Sequence, residues 1–318
     1  MSRGGRYSRL PCFEGVSTLV EKGIFGKLKP YMYLLPAVII MLVILAYPIG
    51  YNFVISFFQW ELRSPERPFI AFENYHRMIT GEHFLTILGN TFIWTALGVI
   101  LQMVLGISLA LIVDIKLRGL GRKYMRTIAL IPWLIPGVVT ALIWRWMMQS
   151  DVGIINSTLM AMGIMDENIL FLSSPNVAMY SLIFVNTWKA TPFWFLMITA
   201  GLQSKPVDQI EAATIDGAGF LSILRYVILP HLSPVITATG VLTTIWTLNY
   251  FDVIWVMTRG GPMNATSTLP IFTYRLAFEF NNFGRSAAMA VITLVITSII
   301  CIPYARKMLL NLREDGAL

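Results

Sequence analysis

Six apolar runs decide what this chain can become. They lie at 31–58, 91–113, 127–148, 177–202, 233–257 and 286–305, and each reaches the roughly 20 residues a helix needs to cross the hydrocarbon core of a bilayer. No period-two alternation of apolar and polar residues runs through them, so the spans are helices rather than barrel strands. Composition agrees: 56% of the 318 residues are hydrophobic and 13% charged, too little polar surface to cover a soluble globule. The predicted fold class is all-α integral membrane, with six transmembrane helices.

Orientation follows from lysine and arginine, which accumulate on the cytoplasmic side. With the N-terminus inside, the inner segments carry Arg3, Arg6, Arg9, Lys22, Lys27, Lys29, then Lys116, Arg118, Arg122, Lys123, Arg126, then Lys205, Arg225, and finally Arg306, Lys307, Arg313. Only Arg63, Arg67, Arg77, Arg259, Arg275 and Arg285 fall outside, while Arg145 and Lys189 stand inside spans. Both termini are therefore expected in the cytoplasm, and the net charge of +7 answers to topology and lipid headgroups, not to nucleic acid. The predicted division is a cytoplasmic segment 1–30, a first span 31–58, an outer hairpin 59–90, a five-span core 91–305 with a cytoplasmic loop at 203–232, and a cytoplasmic tail 306–318. Cys12 and Cys301 fall on the reducing side, so no disulfide is expected. No apolar core with a small-residue cleavage site opens the chain, so no cleaved signal is expected. Phe13, Val16, Val20 and Ile24 recur at helical spacing, which reads equally as a helix on the inner leaflet or as a tail.

The inner loop holds the most patterned soluble stretch, EAATIDGAGFLSILRYVILP at 211–230. It reads as helix, turn, helix. Ser204 offers a cap, Pro206 a first-turn proline and Asp208 a first-turn acid, and Val207, Ile210 and Thr214 share one face. Gly217 ends the first helix, because glycine takes a left-handed position at least cost. A second helix is expected from Phe220 to Ile228, stopping at Pro230 where the next span begins. Ala212 and Ala213 give a face without bulk on which another protein's groove can close.

Polar groups inside spans are costly and mark the first place to look for a pathway. Asn186, Lys189, Ala190 and Phe193 fall at i, i+3, i+4 and i+7 on one helical stripe, and Thr243, Trp246, Thr247 and Tyr250 repeat that spacing in the next span. Hydrogen-bonding groups beside aromatic planes suit a sugar. The same residues also read as contacts gluing helices together. Pro132 and Pro136 are expected to break the third span, and Pro36 and Pro48 to bend the first. Arg145 reads as reaching the interface or a carboxylate, or else a solute. His76 and His83 stand seven apart on what reads as one helix face, without the third ligand a metal site needs.

The 211–230 stretch resembles the EAA loop of permease subunits in ATP-binding-cassette importers, with Val227 where the family prefers isoleucine. Glu73, Asn74 and Tyr75, the basic turn KLRGLGRKYMR, the stretch IPWLIPGVVTALIWRW, and the turn of Thr258, Gly260, Gly261 and Pro262 resemble the same family. Nearly the whole chain is similar to the maltose-type (MalF-like) carbohydrate permeases with their MetI-like core, although residues 59–90 are too few for the prototype's large outer insertion.

The resemblance implies a bacterial inner-membrane, multi-pass subunit that pairs with a second (MalG-like) permease, two cytoplasmic ATPases and an external solute-binding protein, and moves a sugar or oligosaccharide. It makes 203–232 the coupling loop, with Glu211, Ala212, Ala213, Asp216, Gly217, Leu229 and Pro230 at the ATPase. It places substrate against the eight stripe residues, and Lys189 stands where a neutral residue is usual. That departure suggests an anionic group such as a uronate or phosphate, unless Asp252 neutralises the lysine. No cofactor or metal is expected in this chain. ATP and magnesium belong to the partner ATPases, because the one glycine-lysine stretch, GIFGKLK, lacks the phosphate-loop spacing. No nucleophile with a base stands in any span, so no enzyme is expected. A secondary transporter would instead carry inverted repeats and buried ionisable pairs.

Overall fold

The computed structural model describes residues 24–117 and 119–314. The reading of Phe13, Val16 and Val20 as a surface helix, and Cys12, fall outside those residues. The chain divides into two units, 1–54 and 55–318, and the described parts of both are helical, with only two isolated β-bridges.

In the first unit, α1 (Ile24–Met41) and α2 (Tyr47–Ile55) are joined by a five-residue π turn, Leu42–Ala46. The turn closes with the Tyr47 amide donating to the Leu42 carbonyl, just ahead of Pro48. A widened turn absorbs the missing proline N–H and relieves its clash with the preceding turn, so the helix continues. The helix begins at Ile24, ahead of residue 31, while its part apolar enough to span is Tyr33–Ile55.

The second unit begins with the outer hairpin. Its short helix α3 (Glu73–Ile79) is pinned by Asn74, which is buried and donates to the Ser56 and Phe58 carbonyls at 2.9 Å each. Arg77 donates to Glu73 at 2.7 Å, which holds the Glu73 carboxyl below the usual carboxylate range. His76 belongs to α3 while His83 precedes the next helix. They therefore do not share one helix face, because Thr80 and Gly81 end α3 between them.

Helix α4 (Phe84–Lys116) runs for 33 residues, about 50 Å at 1.5 Å per residue. It lies against α9 (Pro175–Gly201), a 27-residue helix with much of its surface buried among α4 and later elements. At their crossing, Gly106 meets the Trp194 Cβ, with the Phe195 backbone nitrogen 3.0 Å from where a Cβ would stand. Without water to drive association, such small-residue contacts set how closely membrane helices pack.

Between α4 and α9 the chain forms α5 (Gly119–Ala129), α6 (Ile131–Leu134), α7 (Gly137–Met147) and α8 (Ile154–Ala161). The apolar run at 127–148 is therefore not one rod: 119–134 and 137–147 meet at 90°, where Pro136 caps α7 and removes a backbone donor.

After the inner loop, with α10 (Val207–Ile215), comes a correction. Helix α11 (Phe220–Ile223) does not stop at Pro230. It passes through a π turn, Leu224–Ile228, into α12 (Leu229–Leu248), the same device that precedes Pro48. The fifth apolar run breaks instead at 249–251, before α13 (Asp252–Thr258). An outer α14 (Leu269–Phe278) and the last span α15 (Phe283–Glu314) complete the fold.

Among the described residues four helices are long and apolar enough to cross a membrane, and five if the bent pair counts as one. Helix α9 has the length but also the polar stripe. Its burial among neighbouring helices is what allows that polarity, and the six-span architecture is consistent with this set.

Candidate functional site

The two stripes predicted from spacing converge. Asn186, Lys189, Ala190 and Phe193 from α9, with Thr243, Trp246, Thr247 and Tyr250 from α12 and the break after it, all line one cavity of about 680 Å³. Period 3.6 puts each set on one face, and α9 packs against both α12 and the long helix α4. A second cavity of similar size, lined almost wholly by apolar side chains of α4, α12 and α15 such as Leu88, Phe92 and Ile296, lacks this chemistry.

The polar side of the cavity is short of partners. Asn186 is 3% exposed and its Nδ2 has none, and the buried Tyr250 hydroxyl is likewise unpaired. No sequence pattern points to a third group, Gln102 of α4, which is 0% exposed with neither amide atom paired. Gln102 and Asn186 converge beside Gly98, where a Cβ would sit 3.7 Å from each amide nitrogen. A lone glutamine in an apolar run carries no periodic signal, which is why it was missed. The opposite side is aromatic: Trp133, Phe193 and Trp246 stand in a row, with centroids 5.9 and 5.0 Å apart. Trp133 is 41% exposed and Trp246 48%, so the cavity is open along this edge.

Both charges of the cavity lie near the break of the third apolar run. Lys189 Nζ donates to the Ile135 carbonyl at 2.6 Å, just past the C-terminal end of α6. Asp252 approaches the N-terminal end of α7, where a Cβ on Gly137 would lie 2.7 Å from its Oδ2 and 2.9 Å from the Tyr250 hydroxyl. A cation at a helix C-terminus and an anion at an N-terminus each oppose the local dipole. Arg145 reaches neither a carboxylate nor the cavity. Its Nη1 donates to the Val256 carbonyl at 3.0 Å.

In the inner loop, Gly217 adopts φ +80° as expected. The Ala218 amide donates to the Ala213 carbonyl at 2.9 Å and Gly217 to Thr214 at 3.1 Å, the paired bonds of a Schellman ending. The start differs from expectation. Pro206 occupies the cap position, while Ser204 bonds back to the Gly201 carbonyl and approaches His231.

Glu211, Ala212, Asp216 and Pro230 are exposed, as is Gly217, and Leu229 is half-buried. Ala213 instead faces the core, where it packs with Ile210 and Ala218 on a cluster that includes Ala110, Ile198 and Leu232. The exposed apolar tips are Ile215, at 86%, and Leu221, at 77%. In the turn after α13, Gly260 takes φ +86° and Thr266 Oγ1 donates to the Gly261 carbonyl at 2.7 Å.

A helical membrane core with a polar cavity open along one edge and a structured polar loop between its helices fits a permease subunit. Residues 102–306 match the family model described as "Binding-protein-dependent transport system inner membrane component", and the chain belongs to that family of ATP-binding-cassette importer permeases. It is 33% identical to the trehalose/maltose transport system permease protein MalF of Thermococcus litoralis, over 87% of this chain and 92% of that one. It is also 33% identical to the sulfoquinovosyl glycerol transport system permease protein SmoG of Agrobacterium fabrum, over 88% and 90%. Among solved structures, a bacterial transporter that imports the acidic polysaccharide alginate superposes with a TM-score of 0.78 at 22% identity, over 90% of this chain and 98% of that one. That likeness establishes the shared fold. The chain is thus a multi-pass inner-membrane subunit of an importer.

Proposed function

We propose that the chain forms half of the translocation pathway for a sugar or oligosaccharide, and that the observation carrying this reading is the cavity in which both predicted stripes meet. Unpaired amides and a phenol on one wall offer hydrogen bonds to hydroxyl groups, and the aromatic row opposite packs on the C–H faces of a pyranose. The relatives named for trehalose, maltose and sulfoquinovosyl glycerol transport support the substrate class. The edge bearing Trp133 and Trp246 faces a second permease subunit, which closes the other half. Termini and inner loop lie in the cytoplasm, and an external binding protein delivers the solute.

In this reading two separate ATPase subunits hold ATP and magnesium, and each grips a coupling loop. Residues 203–232 supply this chain's loop, with Glu211, Ala212, Asp216 and Gly217 at the contact. The tips Ile215 and Leu221 join them and Ala213 supports them from behind. Closure of the ATPases moves the loops together and switches the cavity from inward- to outward-facing.

The cavity holds one cation and one anion, which favours a neutral sugar. A second reading, an anionic sugar such as a uronate oligosaccharide or glycerol phosphate, is supported by Lys189 itself. Its ammonium has three donors and gives one to Ile135. The experiment is uptake into proteoliposomes holding the assembled complex, with neutral and acidic sugars compared in wild type and Lys189→Ala. Uptake that needs no nucleotide overturns the importer reading, and equal losses for both sugar classes remove the anionic one.

A further inference from the structure

At the inner end of α4, Asp114 holds two basic residues from different parts of the chain. Its Oδ2 accepts from Lys205 Nζ at 2.6 Å, and Oδ1 lies 3.7 Å from Arg122 Nη2. Lys205 stands in the extended link that leads into α10, immediately before the Pro206 cap. Arg122 belongs to α5 and also bonds the Asp114 and Leu117 carbonyls at the end of α4. The Asp114 side chain is only 16% exposed, so the pairs are shielded more than a surface ion pair and hold more firmly.

The same helix reaches the cavity. Gln102 lies twelve residues above Asp114, about 18 Å along the axis. Two turns further out, Trp94 Nε1 donates to the Thr247 carbonyl at 2.8 Å, and Thr247 lines the cavity. Beside the ion pair, Ala110, Leu111 and Val113 of α4 pack in the cluster that receives Ile210 and Ala213 of α10. One straight element therefore touches the soluble loop at one end and the polar wall in its middle.

We propose that Asp114 and Lys205 form the joint through which movement of the inner loop is passed along α4 to the cavity wall. The inference rests on the reading of that loop as the ATPase contact. Apolar packing on Ala213 alone would let α10 slide. A charge pair at 2.6 Å fixes its starting point on α4, and Arg122 ties α5 to the same carboxylate. Asp114 and Lys205 are positioning residues and touch neither solute nor nucleotide.

The test uses the complete complex, with its partner permease, ATPases and binding protein, in proteoliposomes. The quantity read is solute moved per ATP hydrolysed, with maltose and trehalose as the first probes. Lys205 is one-third exposed, so K205Q removes the charge with little risk to folding. It is expected to lower the ratio roughly 5-fold or more, the lower end of ordinary coupling free energies.

K205R keeps the charge and is expected to stay within about twofold of wild type, since the pair survives. D114N combined with K205Q is expected to lose no more than the worse single variant. An unchanged ratio in K205Q, or losses that multiply in the double variant, overturns the joint. Cross-linking of Ile215→Cys to the ATPase, in the same preparation, checks the underlying loop reading separately. If the cross-link is absent, that reading has failed, and if it forms while K205Q transports normally, only the joint has.

Discussion

Replacing Gln102 with leucine should move stability and transport in opposite directions, a pattern that a residue needed only for packing does not produce. The side chain is fully buried and both its amide atoms are unpaired. An unsatisfied buried polar atom costs ~1–3 kcal/mol, so two bring the penalty to ~2–6 kcal/mol, and water entering the cavity takes it toward the low end. Leucine has similar volume and no polar atoms. The sugar-free complex should therefore unfold at the same temperature or higher.

With sugar in place the variant forfeits one or two hydrogen bonds, worth ~0.5–1.5 kcal/mol each. That corresponds to a fall of roughly 2- to 150-fold in kcat/KM for uptake. The assays are thermal unfolding of the solubilised complex without sugar, and uptake by proteoliposomes across a range of sugar concentrations. A less stable Gln102→Leu complex that transports like wild type would show that the amide serves the fold and not the solute.

Three further outcomes follow from single contacts. Gly106→Val drives a branched side chain into Trp194 and the Phe195 backbone, and should destabilise the α4–α9 crossing by ~1–3 kcal/mol or more, read as a lower unfolding temperature and poorer assembly. Gly217→Val meets no atom within 4 Å but must hold φ +80°, a cost of at least ~1–2 kcal/mol. ATP-driven uptake should fall with membrane insertion intact, whereas Gly217→Asn, which tolerates that region, should keep most of it. Asn74→Ala removes the two bonds it donates to the Ser56 and Phe58 carbonyls, on the order of 2 kcal/mol, and should speed proteolysis of the hairpin at 59–90.

Legibility in the sequence followed the physics of each signal. Spans were readable because length and apolarity alone decide them, and the stripes because four residues on one helical face repeat at fixed spacing. Gly217 was readable because its conformation is nearly exclusive to glycine. The endpoints of helices around proline were not. Pro230 reads as a stop in any local rule, yet a π turn one step earlier lets the helix pass it, as at Pro48. The Leu224–Ile228 turn packs on the core through Ile228, whereas the Leu42–Ala46 turn buries no residue, so no single local rule marks both. Gln102, Asp114 and Lys205 escaped notice for a related reason. Each is a single polar residue whose meaning lies in a neighbour from another helix, 84 residues away for Asn186 and Gln102 and 91 for Lys205 and Asp114.

The third apolar run bears on how the proposed pathway could carry charge without selecting for it. Breaking a helix at Pro136 leaves a carbonyl end at half-buried Ile135 and an amide end at half-buried Gly137, and both are better met by a partner. Lys189 meets the first and Asp252 approaches the second, so the two charges that line the cavity also support the break that shapes it. A Cβ on Gly137 would stand 2.7 Å from Asp252 Oδ2 and 2.9 Å from the Tyr250 hydroxyl, so any larger residue there would make those side-chain tips shift. An arriving anionic sugar would therefore compete with Ile135 for the ammonium, and pulling Lys189 away would leave the α6 end without its counter-charge. On the proposed pathway a neutral sugar would instead bond to the unpaired groups of Gln102, Asn186 and Tyr250 and leave that arrangement in place. The bond from Lys189 to Ile135 would thus favour an uncharged guest on that pathway, and uptake of neutral against acidic sugars in Lys189→Ala tests it.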